Sequence, residues 1–278
     1  MKKTLYVICV MLLSAGFLSA ETKLKEYKAV SGISGTVNSI GSDTLNNMMT
    51  LWAESFKRTY PNVTIQIEGK GSSTAPPALI QGISQLGPMS REMKSKEVDA
   101  FEKKFGYKPV KVGVAIDALA VFVHKDNTIA GMSLKDVDSA FSSTYSRGGK
   151  DAKVWGDLGL DGSWKDKAIA LYGRNSASGT YGFFQKVALN KGSYKTSVKQ
   201  QPGSAAVVNS VANDLGGIGY SGIGYKTSGV RALPLSVAGT SYNEPTLANC
   251  LNKSYPLARV LYLYVNKKPG PELDKLTK

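Results

Sequence analysis

The chain has 278 residues, with 35 Lys and Arg against 21 Asp and Glu and a formal net charge of +14 at pH 7. Two cysteines and one histidine are too few for a disulfide-dense scaffold or a histidine-rich metal site. The basic residues are interleaved with acidic ones, as in residues 91–97, instead of forming blocks with aromatics. This pattern does not favour nucleic-acid binding, and we interpret the excess charge as an attraction for small anions.

The first twenty residues have the pattern of a secretory signal, with two lysines, a mostly apolar run from Leu5 to Leu13 and a small residue, Ala20, at a cleavage point before Glu21. That apolar run is too short to span a bilayer. Cys9 lies inside the segment, so cleavage leaves Cys250 as the one remaining cysteine and no internal disulfide. Residues 21–36 are polar and rich in glycine and serine, which predicts a flexible lead-in. We therefore expect a periplasmic protein that depends on its core for stability.

Strand and helix patterns alternate along the rest of the chain. Alternating or short apolar runs predict strands at 37–40, 63–67, 110–123, 168–172, 216–224, 231–237 and 258–265. Helical periodicity predicts helices at 43–60, from Ser72 onward, and at 92–105, 133–141, 181–189 and 205–215. The apolar stripe of the first helix includes Trp52 and Phe56 and is interpreted as core. The alternation predicts a layered α/β fold, in which ligands bind beyond the carboxyl ends of strands.

Three short stretches carry glycine and hydroxyl residues just ahead of a predicted helix: residues 41–44, 71–74 and 178–180. A helix start carries unpaired N–H donors and the positive end of the helix dipole, and Ser or Thr adds O–H donors. One such stretch is usually only a helix cap. Three such stretches, together with the planar donor fork of Arg174 just before the third, predict a binding site for a small tetrahedral oxyanion.

Two further positions have open interpretations. Ser90 and Arg91 follow a strand end and belong either to the site or to a surface turn. Asp117 lies inside the long apolar run of residues 110–123, where an unpaired charge would cost several kcal/mol. It is therefore either a structural anchor or part of the site.

Catalytic motifs have little support. His124 has no cysteine or carboxylate companions at ligand spacing, and the sequence contains neither a G-x-S-x-G elbow nor a P-loop. Residues 217–222 fit G-x-G-x-x-G, but no helical pattern follows them, so the dinucleotide interpretation fails. We expect no enzyme activity, no metal and no cofactor.

Seven segments, taken in order, resemble the phosphate-binding proteins of bacterial phosphate ABC transporters. They are residues 41–44, 69–73, 89–92, 116–121, 174–180, 217–220 and 255–259, within a likeness from about Val37 to Asn266. The resemblance implies an α/β fold of the type II periplasmic binding protein kind. Two lobes would be joined by hinge crossings near 116–121 and 225–235. Lobe 1 would comprise residues 37–117 plus 226–278, and lobe 2 residues 118–225.

The resemblance also implies a ligand, inorganic phosphate, and a partner, the membrane permease of the transporter. We expect a monomer with no nucleic-acid partner. The phosphate-binding residues implied by the resemblance are Ser42, Asp43, Thr44, Ser72, Arg174, Ser178, Gly179 and Thr180. We add Ser73, Ser90 and Arg91 as further candidates.

The chain departs from the family pattern in two places. Some relatives have an aspartate at the position of Arg91, where it accepts the ligand's proton and so rejects sulfate. Here Asp43 is the first candidate acceptor and Asp117 the second, and discrimination against sulfate stays open. Family members also usually continue past a segment like 262–269 with a helix and a strand. We expect this chain, which stops at Lys278, to be a C-terminal truncation, the alternative being a first lobe without that packing element.

Other functions remain open on the same residues. The fold could bind sulfate or a phosphonate in place of phosphate. A secreted hydrolase of phosphate esters would need a nucleophile and base, or metal ligands. A surface protein could have kept the fold and changed its role.

Overall fold

The computed structural model describes residues 27–268, so the predicted signal at 1–20 and the chain end at 269–278 lie outside the described residues. The strands are β1 (Gly35–Ile40), β2 (Val63–Glu68), β3 (Leu86–Met89), β4 (Val110–His124), β5 (Met132–Ser133), β6 (Ala170–Arg174), β7 (Lys199–Gln201), β8 (Gly217–Gly222), β9 (Val230–Ala232), β10 (Leu235–Ser236) and β11 (Ala258–Val265). The helices are α1 (Asn46–Thr59), α2 (Ala75–Gln81), α3 (Ser95–Phe105), α4 (Leu134–Phe141), α5 (Gly179–Val187), α6 (Ser204–Ala212) and α7 (Leu247–Leu251).

Within residues 27–268, nine strands form one mixed sheet. Its order is β2-β1-β3-β11-β4-β8-β6-β7, with β9 paired to β4 on the side opposite β8. Strand β1 is parallel to β2 and β3, and β6 is parallel to β7 and β8. Strand β11 runs antiparallel to both β3 and β4, and β4 runs antiparallel to β8 and β9. Strands β5 and β10 form a separate two-stranded pair.

Strand β4 joins two sections of this sheet. Its first part, up to Ala118, pairs with β11, and its second part, from Leu119, pairs with β8. We call β2, β1, β3, β11 and residues 110–118 the first section. The second section is residues 119–124 with β8, β9, β6 and β7. One continuous strand therefore carries the chain from one section to the other.

Helices cover both faces of the sheet. In β4, Leu119, Val121 and Val123 pack into the large core around α4 and α5, while Ala120 and Phe122 pack against α6 on the opposite face. Successive side chains of a strand point to opposite faces, so this division follows from the alternation of the sequence. In the first section, α2 and α3 enclose one cluster and α1 contributes to another.

The chain returns to the first section later than predicted. The prediction placed the return near residues 225–235 and assigned 226–278 to lobe 1. However, β9 pairs with the second part of β4, and Leu235, Tyr255 and Leu257 lie in the same core cluster as Leu119. The return therefore falls at Ala258, where β11 begins. Residues 233–257 contain little regular structure, but Leu233, Leu235, Cys250, Tyr255 and Leu257 pack in the core of the second section.

Helix α1 is less buried than its apolar stripe predicted. Leu45, which precedes it, and Met49 are buried, but Trp52 is 42% exposed and Phe56 is 41% exposed. The helix therefore contacts the sheet through its first half, and its second half presents aromatic surface to solvent.

No helix within residues 27–268 is both long enough and apolar enough to cross a membrane.

Candidate functional site

Three loops of the first section meet because their strands are parallel. Strands β1 and β3 flank each other and β2 pairs with β1, so their carboxyl ends lie at one edge of the sheet. The loop after β1 carries Ser42, Asp43 and Thr44, the loop after β2 carries Ser72, and β3 leads directly into Ser90. The serines at 42, 72 and 90 are buried. This edge therefore collects hydroxyl and amide donors that water does not reach.

Two loops of the second section face this edge. Arg174 is the last residue of β6, and Ser178 caps α5 by accepting a hydrogen bond from the Thr180 amide at 3.1 Å. Strand β7 pairs with β6 and leads into Ser204, the first residue of α6. The amino ends of α5 and α6 therefore lie beside the same arginine.

Arg174 and Asp43 form an ion pair between the two sections. Arg174 Nη1 lies 3.0 Å from Asp43 Oδ2 and donates to Ser204 Oγ at 2.7 Å, while Nη2 donates to the Pro202 carbonyl oxygen at 3.2 Å. The Ser204 amide donates to the same Asp43 oxygen at 2.8 Å. These contacts fix the guanidinium plane in place.

The Nε–H of Arg174 is buried and has no hydrogen-bond partner among the described residues. The side chain is only 1% exposed, and burial lowers the pKa of Arg174 while Asp43 opposes that shift. Buried donors in native proteins nearly always have a partner. The Arg174 Nε–H is therefore a candidate donor to a ligand.

Hydroxyl groups of the two sections also meet directly. Thr44 Oγ1 and Thr180 Oγ1 are 3.0 Å apart, and Ser72 Oγ accepts from the Ser90 amide at 2.9 Å. A Cβ atom placed on Gly179 would stand 2.4 Å from Ser72 Oγ, which no real contact allows. Glycine is therefore required where the start of α5 approaches the first section.

Asp117, the second candidate acceptor, is paired with a residue that the sequence analysis gave no role. Arg259 Nε and Nη2 donate to Asp117 Oδ2 at 2.9 and 2.8 Å. The same Nη2 donates to Thr180 Oγ1 at 3.0 Å. Asp117 therefore acts as the anchor for a second buried guanidinium, which leaves Asp43 as the carboxylate paired with Arg174.

Arg91 and Ser73 lie outside the cluster of buried donors. Arg91 forms two hydrogen bonds with the Glu97 carboxylate, at 2.8 and 2.9 Å, and Ser73 is exposed. Burial alone would raise the pKa of Glu97, but the bonds from Arg91 and from the Lys94 amide outweigh it, so this pKa lies below its usual value. The sequence did not indicate this pair, because the partner of Arg91, Glu97, lies in the first turn of α3.

The Arg91–Glu97 pair makes stability depend on pH. Since the folded state depresses the pKa of Glu97, the pair stabilises the fold above the unfolded value near 4.3, and this contribution is lost as pH falls through the lower folded value. We expect Glu97→Gln to lower the free energy of unfolding by about 1 kcal/mol at pH 7. Urea denaturation from pH 7 to pH 3 should show the difference closing at acid pH. Glu102→Gln, which breaks an exposed pair, is the control, and a constant difference would contradict the assignment.

Three residues that the sequence analysis missed contact the site. Ser204 and Arg259 are described above, and Tyr225 donates to the Asp43 carbonyl oxygen at 2.8 Å. Burial raises the pKa of Tyr225 to about 12, so it remains a neutral donor. The sequence could have indicated Ser204, because Gly203 and Ser204 precede an apolar helix in the same way as the glycine and hydroxyl residues of the three predicted loops. Within residues 27–268 no cluster of His, Cys, Asp and Glu could hold a metal ion.

Comparison with known proteins agrees with this geometry. Residues 28–278 match the family description of the PBP superfamily domain, which defines the class of the fold. The chain is 57% identical to the phosphate-binding protein PstS of Pseudomonas aeruginosa over 255 residues, covering 91% of this chain and 79% of that protein. It is 29% identical to PstS of Staphylococcus haemolyticus over 246 residues, covering 87% of this chain and 74% of that protein.

Solved structures give the same result. A protein from Clostridium perfringens, assigned as a phosphate ABC transporter substrate-binding protein and solved with bound phosphate, superposes with a TM-score of 0.71 at 26% identity, covering 87% of this chain and 90% of that one. The chain belongs to the family of phosphate-binding proteins of bacterial phosphate ABC transporters. The α/β fold implied by the resemblance is confirmed, and the family consists of substrate-binding proteins, not enzymes.

Proposed function

We propose that this protein captures inorganic phosphate between the two sections of its sheet and delivers it to the permease of an ABC transporter. The observation that carries the proposal is the convergence of Arg174, with its unpartnered Nε–H, on buried hydroxyl and amide donors of the opposite section. A guanidinium and helix amino ends suit a tetrahedral oxyanion because they supply charge and directed N–H groups. The relatives named for phosphate binding support the same ligand.

The proposed ligand set follows the geometry. Ser42, Thr44, Ser72 and Ser90 would serve from the first section, and Arg174 with Ser178, Gly179 and Thr180 from the second. Since Arg91 is paired with Glu97 and the Ser73 side chain is exposed, we leave both out of the set. Residues 33–118 with 258–268 would form one lobe, and residues 119–257 the other. This division follows the strand pairing and the core clusters.

The remaining features of the proposal concern export and assembly. The predicted signal places the protein in the periplasm, where a monomer would dock on the permease after phosphate is bound. Hydrogen bonds to a ligand are stronger in a site from which water is excluded. Closing the two lobes on phosphate would therefore produce both tight capture and a shape that the permease can distinguish.

Titration of the purified full chain tests the ligand. Isothermal calorimetry at pH 7 should show saturable binding of phosphate and much weaker binding of sulfate and methylphosphonate. A native mass spectrum of the untreated protein should show an adduct of phosphate mass. Tighter binding of sulfate or methylphosphonate would favour those oxyanions, and turnover of a chromogenic phosphate ester would favour the hydrolase.

Asp43 is proposed as the acceptor of the ligand's proton, because it lies in the loop after β1 beside Arg174, whereas Asp117 is paired with Arg259 at the junction of the two sections. A buried acceptor left without a proton penalises a ligand such as sulfate. We expect Asp43→Asn to reduce the ratio of phosphate to sulfate affinity at least tenfold. Paired titrations at pH 7 measure the ratio, with Asp136→Asn, remote in the α4 cap, as the control. An unchanged ratio would place the acceptor elsewhere.

A further inference from the structure

Arg259 and Asp117 occupy the point where the two sheet sections join. They are paired in register across β11 and β4, one residue from the positions at which β4 changes partner and β11 begins. The Arg259 side chain is 3% exposed and that of Asp117 is 8% exposed. A buried pair of this kind could be only a structural link between neighbouring strands.

The other contacts of Arg259 go beyond such a link. Nη1 lies 3.4 Å from the Ser90 carbonyl oxygen, on the first section, and Nη2 lies 3.0 Å from Thr180 Oγ1, on the second. The guanidinium also stacks over the Phe183 ring at 5.3 Å. Arg259 therefore contacts both sides of the proposed ligand site at once.

The bond to Thr180 has a chemical consequence. A guanidinium can only donate, so Thr180 Oγ1 must accept from Arg259 with one lone pair. The Thr180 O–H is then free to donate, and the accepted charged bond strengthens it as a donor. Thr44 Oγ1 lies 3.0 Å away in the first section, so that donor is directed at the junction between sections.

We propose that Arg259 is a positioning residue for the bound anion, acting through the Thr180 hydroxyl. Asp117 fixes the guanidinium fork so that Nη2 meets Thr180. The proposal rests on the proposed function, since it concerns binding of the same anion. Contacts that join the sections form only when they meet, so their loss should speed release of the ligand while capture stays nearly unchanged.

The test removes the charge pair as a unit. The double variant Asp117→Asn/Arg259→Gln leaves no uncompensated buried charge, and Arg147→Gln is the control, since Arg147 is an arginine bound to carbonyl oxygens at the end of α5. Stopped-flow kinetics with inorganic phosphate give the two rate constants. We expect koff to rise at least tenfold in the double variant with kon changed less than threefold, and neither to change in Arg147→Gln.

A second background separates positioning from general destabilisation. In Thr180→Val, the same Asp117→Asn/Arg259→Gln change should raise koff less than twofold, because the hydroxyl through which Arg259 acts is gone. Arg259→Lys, which keeps a donor and the charge, should recover part of the loss and serves if the double variant fails to fold. If the Asp117→Asn/Arg259→Gln change raises koff equally with and without the Thr180 hydroxyl, or in neither background, the positioning role of Arg259 is overturned while the proposed function stands. Wild-type protein that takes up no phosphate would overturn the proposed function as well.

Discussion

Arg174→Gln is expected to weaken phosphate binding about 100-fold or more. Hydrogen bonds to charged groups contribute roughly 1.5–3 kcal/mol each, and a factor of ten in affinity corresponds to about 1.4 kcal/mol. The change also leaves Asp43 without its cation, 3.0 Å from the lost group, so a negative charge would face the incoming anion. Isothermal calorimetry with phosphate at constant ionic strength measures the loss.

The matched control is Arg231→Gln. Arg231 is another arginine that donates to backbone carbonyl oxygens, those of Asn127 and Ile129, far from the loops that carry the site. This variant should bind phosphate as wild type does, even if it is less stable. Phosphate affinity within threefold of wild type in Arg174→Gln would remove that residue from the site.

Gly179→Ala is expected to weaken phosphate binding about 10- to 100-fold by holding the two sections apart. The added Cβ would stand 2.4 Å from Ser72 Oγ and 2.7 Å from Ser90 Oγ, and both serines are buried. Overpacking of this kind costs about 1–3 kcal/mol, and here the cost falls on the closed form alone. Calorimetry gives the affinity, and small-angle scattering with saturating phosphate should show a larger radius of gyration.

Gly182→Ala provides the comparison on the same helix. A Cβ at Gly182 meets no atom within 4 Å, so the substitution should leave affinity unchanged and should slightly favour helix α5. If both alanine variants bind phosphate equally well, the approach of α5 to the first section is not required for binding.

Much of the fold could be predicted from local sequence patterns. The long, mostly apolar run at 110–123 predicted a buried strand, and β4 occupies Val110–His124. The hydroxyl-rich loops predicted helix starts at 43 and 72, where the structure has short 3₁₀ turns before α1 and α2. These features are local, since strand periodicity and turn chemistry are properties of neighbouring residues.

The parts that failed depend on contacts between distant residues. Residues 238–257 have no regular periodicity, so nothing in the sequence assigned Cys250, Tyr255 and Leu257 to the core around Leu119. Arg91 and Arg259 are both arginines next to site segments, and only their partners, Glu97 and Asp117, distinguish a partly exposed pair from a buried one. The exposure of Trp52 likewise depends on how far the sheet extends beneath α1. Such differences are decided by tertiary packing, which a single sequence does not display.

The burial of the donor groups limits which phosphate compounds the protein could bind. Ser42, Ser72, Ser90, Arg174 and Thr180 are each at most 2% exposed, and they come from both sides of the junction. An anion enclosed by these groups would leave no exit for the carbon chain of a sugar phosphate or a nucleotide. Under the proposed function, organic phosphates would therefore have to be hydrolysed before this protein could bind the phosphate that they release.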